Sequence, residues 1–414
     1  MVQEGVTARS VAVKDGKIAA LLEPGEAAAA RATVDAKGCL VFPGLVDAHV
    51  HFREPGLTHK EDFESGSRAA ALGGVTTVMV MPTDSPMTQT PAQFLDKRRL
   101  AESRCHVDFA LQALLGPDPA HVRPLAELGA VSFEIFMGLL PEAFCIRDEA
   151  RLVAALDAVR EANAVAGVTP LDERLSPSFT PEAEAEGVAL ALRAHALAGG
   201  KMHLRQISCA ASVGELPRAA SGVSSEVTPH NLLLTRDAFS RLGALAKVVP
   251  PLRSEADAIA MREALASGRV SIVATDHAPH APAEKDAPLD RAPGGFPGVQ
   301  TLLPLLLKLV ADGALTYEGL VRAACAEPAR IFGLFPRKGA LRTGSDADLV
   351  VVDPARSMHI RNADQASKAA RTPFDGWQVP ATPVITILRG QIIMRDGAIA
   401  GSPRGLHLKP GRML

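Results

Sequence analysis

A chain of 414 residues, 47% hydrophobic and 22% charged, has the make-up of a soluble globular protein. Its size suits two or three domains, or one large barrel with an accessory domain. Its 44 basic residues nearly balance 46 acidic ones, and a net charge of −2 argues against nucleic acid or an anionic membrane surface as the main partner.

Five cysteines without CxxC spacing read as reduced thiols. The N-terminus lacks the basic-then-apolar pattern of a leader, and no apolar run reaches the roughly 18 residues of a membrane span. These features predict a cytoplasmic protein.

Residues 10–42 read as short strands, with Asp15-Gly16 between SVAV and IAALL as a tight hairpin turn. The middle of the chain alternates apolar runs, such as LVDAHVHF, TTVMVM, VSFEIFM and VSIVATD, with segments at helical spacing. The helical segments fall at 65–73, 92–103, 147–163, 182–199 and 254–267. Strand–helix alternation over roughly 290 residues predicts a parallel sheet with crossover helices. About eight such units suit a closed (β/α)8 barrel better than an open doubly wound sheet. Residues 344–353 and 383–400 return to strands, with Arg389-Gly390 and Asp396-Gly397 as turns. β-rich segments therefore lie at both chain ends.

Two segments carry candidate chemistry. In Asp47-Ala48-His49-Val50-His51-Phe52-Arg53, strand alternation places Asp47, His49, His51 and Arg53 on one face. Two imidazoles so spaced can hold one metal ion, or serve as two polar residues at a strand end. In Thr275-Asp276-His277-Ala278-Pro279-His280, Asp276 follows a predicted strand, where a barrel gathers its catalytic groups. A carboxylate there can ligate metal and take a proton from water, or cap a turn. Thr58 and Glu61 have the spacing of a helix capping box.

Together these residues resemble the cyclic amidohydrolases, and most closely the dihydroorotases. The text that carries the resemblance is FPGLVDAHVHFREPGLTHKEDFESGSRAAALGGVTTVMVMP at 42–82. VTPHNLLL at 227–234, PPLR at 250–253, IVATDHAPH at 272–280 and GSDADLVVVD at 344–353 support it. The resemblance implies a (β/α)8 barrel over 44–337 and a composite β-sandwich from 1–43 and 338–414. It implies hydrolysis or closure of a cyclic amide at a metal centre, with dihydroorotate and N-carbamoyl-aspartate of pyrimidine biosynthesis as the pair. His49 and His51 look like ligands of the more buried metal, Asp276 like the shared ligand and general acid/base, and Arg53 and His280 like substrate contacts.

The chain departs from the family pattern at several positions. Glu134 stands where a carboxylated lysine or an aspartate bridges two metals, and its side chain is roughly 3–4 Å shorter than carboxylated lysine. The strand at 165–169 ends without histidine, and Gln206 replaces the histidine expected before Ile207-Ser208. Thr83 and Val249 replace two asparagines that would bond the substrate ring. The family's first strand is short or absent, which implies an upstream start or a trimmed sandwich.

The expectation is one zinc ion rather than two, held by His49, His51, Asp276 and Glu134. The alternatives are a non-catalytic homologue that partners aspartate transcarbamoylase, a hydantoinase- or allantoinase-like hydrolase of another cyclic amide, or a full binuclear dihydroorotase with Glu134 bridging and other ligands replacing the missing histidines. Family members are commonly oligomeric, which makes a homo-oligomer a further implication.

Overall fold

The computed structural model describes residues 5–26, 28–218 and 222–411. Its strands, in chain order, begin with β1 (Ser10–Lys14), β2 (Lys17–Leu22), β3 (Leu40–Pro43) and β4 (Leu45–Val50). They continue with β5 (Val75–Val80), β6 (Asp108–Leu111), β7 (Ala113–Leu114), β8 (Phe133–Phe136) and β9 (Val165–Thr169). Next come β10 (Lys201–Leu204), β11 (Val223–Val227), β12 (Ile272–Val273) and β13 (Leu349–Asp353). The last are β14 (Met358–His359), β15 (Gln378–Val379), β16 (Thr382–Leu388), β17 (Gln391–Arg395) and β18 (Ala398–Ile399).

Parallel pairing runs β4-β5-β6 and β7-β8-β9-β10-β11-β12. Gln112 joins β6 to β7 as one stave, its backbone N–H donating to Val80 O at 3.1 Å. The ring closes between the first and last staves, where His51 N donates to His277 O at 2.8 Å and His277 N to His49 O at 3.3 Å. Eight staves with helices between them make the closed barrel. Every residue of β4 and β5 is buried, as expected of strands covered on both faces.

The predicted helices form with ends shifted by one or two residues: Phe63–Leu72, Pro91–Glu102, Glu149–Glu161, Pro181–Ala198 and Glu255–Ala266. The first starts later than the Thr58–Glu61 spacing suggests. Its N-cap is Asp62, whose carboxylate accepts from Ser65 N at 2.8 Å. Glu61 is drawn inward instead, toward Ser65 and Ser367.

The chain ends build an antiparallel sheet, ordered β18-β17-β16-β13-β3, together with the β1-β2 hairpin. Its turns at Asp15-Gly16, Arg389-Gly390 and Asp396-Gly397 have positive φ at both central residues, the geometry that matches strand twist in two-residue hairpins. Ile18 from the hairpin packs in one cluster with Leu349, Val351, Ile385 and Ile387. This β-rich part is tied to the barrel by Lys338, buried among Asp108, Asp346 and Asp348 at 2.5, 2.9 and 2.7 Å. That ammonium occupies the centre of the acidic cluster, and Lys17, Arg337 and Arg389 pair with its carboxylates from the rim, so side-chain cations satisfy the cluster.

Inside the barrel, Val46, Ala48, Met79, Ala110, Val165, Ile272 and Ala274 form an apolar layer closed by Phe332, Leu334 and Leu408. Gln112, Glu134, His203, Arg205 and Glu226, the next inward-facing residues along their staves, form a buried polar layer.

Candidate metal centre

The register of β4 against β5 shifts between Asp47 and Val50, so the simple alternation expected for 47–53 is broken. Asp47 turns to the last stave, accepting from Thr275 N at 3.0 Å and from its hydroxyl at 2.5 Å. The carbonyl of Ala48 accepts from Arg205 Nη1 and Gln112 Nε2, both at 3.1 Å. Arg53 lies beyond the strand end with φ of 59°. Of the four residues expected on one face, His49 and His51 converge.

Their Nε2 atoms lie 3.3 and 3.0 Å from the same oxygen, Asp276 Oδ1. Ligand atoms of these three residues all lie within 4.8 Å of one another. The other ring nitrogens are engaged. His49 Nδ1 is 2.5 Å from Glu226 Oε1, and His51 Nδ1 is 2.8 Å from Thr83 Oγ1. Burial opposes ionisation of the His49 imidazole, but Glu226 and Asp276 outweigh it and raise its pKa; a carboxylate only accepts, so Nδ1 carries a proton toward Glu226. This is the usual second contact of a metal-binding histidine. Burial, with help from Arg53, pushes the His51 imidazole down to about 3, so the ring is neutral; its Nε2 donates to Asp276 Oδ1 and its Nδ1 accepts from the Thr83 hydroxyl. Burial opposes ionisation of Asp276, but His49 and His51 outweigh it and hold the carboxyl below the usual range. Two imidazole nitrogens and a carboxylate oxygen suit zinc. The residues present fit one such ion.

Glu134 is not in this group. Both its oxygens are taken by Arg205, with Nε at 3.0 Å and Nη2 at 2.7 Å, and Ser132 Oγ adds a third bond at 2.7 Å. The expectation of Glu134 as a metal ligand overlooked a guanidinium 71 residues away in sequence that claims the carboxylate first. Gln206, at the missing histidine position, donates from Nε2 to Asp276 Oδ2 at 2.7 Å and to Val249 O at 3.0 Å. Thr169, at the end of β9, has a buried hydroxyl with no hydrogen-bond partner. His203 points inward between Ser224 Oγ and Glu226 Oε2, at 2.8 and 3.0 Å. Glu134, Thr169 and Gln206, which stand at the positions expected to hold a second ion, thus offer neither an imidazole nor a free carboxylate.

Arg53 Nε donates to Pro279 O at 3.3 Å, and its Nη2 lies 3.5 Å from His280 Nε2. His280 Nε2 donates to Gly294 O at 3.0 Å, and Nδ1 accepts from Lys60 at 3.1 Å. Burial, Arg53 and Lys60 push His280 down to about 3, so it is a neutral ring beside the guanidinium. His277 is a loop support: its Nδ1 accepts from Gly298 N at 3.1 Å, and Phe52 packs edge-on at 5.9 Å. Sequence reading did not single out Arg205, Glu226, Gln112 or His230. His230 is buried against Phe296 with an unpartnered Nε2, and a histidine directly after a stave was the available signal.

Residues 40–393 match the amidohydrolase family. The chain is 40% identical over 382 residues to a dihydroorotase of Halobacterium salinarum, covering 89% of each protein. It is 37% identical over 402 residues to a dihydroorotase of Methanothermobacter thermautotrophicus, covering 94% of this chain and 92% of that one. Among solved structures, the L-hydantoinase (dihydropyrimidinase) of Arthrobacter aurescens superposes with a TM-score of 0.92 at 30% identity, covering 98% and 97% of the two chains. No helix among the described residues is long and apolar enough to cross a membrane. The chain belongs to the amidohydrolase family.

Proposed function

We propose that this protein hydrolyses, or by reversal closes, a cyclic amide bearing a carboxylate, with dihydroorotate and N-carbamoyl-aspartate as the pair. The reaction would take place at one zinc ion held by His49, His51 and Asp276. The observation that carries this reading is the convergence of the two Nε2 atoms on Asp276 Oδ1. The similarity to the two archaeal dihydroorotases supports the substrate.

Zinc, when bound, supplies Lewis acidity and makes water nucleophilic near neutral pH. Asp276, ionised and held at Oδ2 by Gln206, accepts the proton of the attacking water and returns it to the ring nitrogen as the amide C–N bond breaks. Arg53 pairs with the substrate carboxylate through its planar fork, and His280 flanks it. Thr83 and Val249 offer the ring edge fewer polar contacts than asparagines would.

The test is turnover of dihydroorotate by zinc-supplemented protein beside a His49→Ala control. Turnover lost in the control supports the reading. Absence of turnover in both, with hydantoins hydrolysed instead, moves the substrate to another cyclic amide. The replaced positions Glu134, Thr169 and Gln206 favour a second reading, a non-catalytic partner of aspartate transcarbamoylase. Recovery of a stable complex by an inactive chain would support that one.

A further inference from the structure

Arg205 is fully buried, and an uncompensated charge at such depth is very costly. Each of its five N–H donors has an acceptor. Nε and Nη2 bind Glu134, Nη1 binds Ala48 O and Glu226 Oε2 at 3.1 and 2.9 Å, and Nη2 also reaches Gln112 Oε1 at 2.5 Å. Phe332 lies beneath the guanidinium, with its ring centroid 5.3 Å away. Glu226 in turn spends Oε2 on Arg205 and His203, and Oε1 on His49 Nδ1. Every atom of the chain Arg205–Glu226–His49 is thereby fixed, and it ends on a candidate zinc ligand.

We propose that Arg205 is a positioning residue: a permanent internal cation that neutralises Glu134 and locks Glu226, which sets the orientation and tautomer of His49. This rests on the one-zinc reading above and adds a reason for it. The carboxylate that would bridge two ions is already paired with a cation that cannot leave. Lysine in its place would keep the charge but could not satisfy five acceptors in one plane.

The experiment uses Co²⁺ as the probe, titrated into chelator-treated protein and followed by its visible absorption. The unaltered chain is expected to bind one Co²⁺. Glu226→Gln and Arg205→Lys are expected to keep far-UV circular dichroism and bind that ion about 10–100-fold more weakly, the usual cost of removing a ligand's supporting partner. Folded variants that bind Co²⁺ within twofold of the unaltered chain overturn the proposal but leave the one-ion site standing. No Co²⁺ bound, or two ions, overturns the one-ion reading itself, and the proposal with it.

Should the variants not fold, ¹⁵N NMR of the unaltered metal-free chain still decides. The His49 signal, assigned by its loss in His49→Gln, is expected to show protonated Nδ1. A His49 ring protonated on Nε2 alone would refute the proposal.

Discussion

Gly167 should be intolerant of even a methyl group, although its backbone conformation suits any residue. It sits on β9 directly beneath the Glu134–Arg205 pair. A Cβ at this position would lie 2.2 and 2.4 Å from the Glu134 carboxylate oxygens and 2.5 Å from its Cδ. Ordinary contact begins near 3.4 Å, so the carboxylate would have to retreat by roughly 1 Å. It has nowhere to go, because Arg205 and Ser132 hold it by three bonds of 2.7–3.0 Å. Overpacking alone costs about 1–3 kcal/mol, and parting a buried ion pair about 3–5 kcal/mol. Replacing glycine by alanine returns about 0.4–1 kcal/mol through the unfolded chain. Gly167→Ala should therefore destabilise by about 3–7 kcal/mol in urea denaturation followed by circular dichroism. The same substitution in a Glu134→Ala background meets no carboxylate and should cost less than about 1 kcal/mol. Equal losses in both backgrounds, or no loss in either, would refute the argument.

Arg53→Lys should raise KM for a carboxylate substrate about 10–100-fold while changing kcat less, since a point charge replaces a bidentate fork; steady-state kinetics would show this. Thr83→Val removes the partner of His51 Nδ1 and should weaken Zn²⁺ binding about tenfold, measured by chelator competition, with the fold retained. Asp346, buried against Lys338 and paired with the exposed Lys17, is held at about 2, although burial alone would raise it. Its contribution of about 2 kcal/mol is thus present above pH ~3.8 and lost as pH falls toward ~2. Asp346→Asn should lower stability at pH 7 and flatten the acid limb of the stability–pH curve. An unchanged acid limb would count against this assignment.

Much of the architecture is written locally. The apolar runs at 45–50 and 75–80, the helix at Pro181–Ala198 and the three positive-φ turns depend on neighbours within a few residues, so spacing and turn chemistry reveal them. The family's motif residues His49, His51 and Asp276 were visible because they lie in short, dense stretches. Three things were decided only by the tertiary structure. The register shift in β4 sends Asp47 to Thr275 and turns the Ala48 carbonyl inward. The Asp62 cap frees Glu61 to face Ser367, some 306 residues away. Closure of the barrel brings Glu134, Glu226 and Gln112 around Arg205 from three different staves. A carboxylate read along its own strand looks available to a metal. Its electrostatic partner is chosen across the barrel, where low dielectric makes the nearest permanent cation prevail.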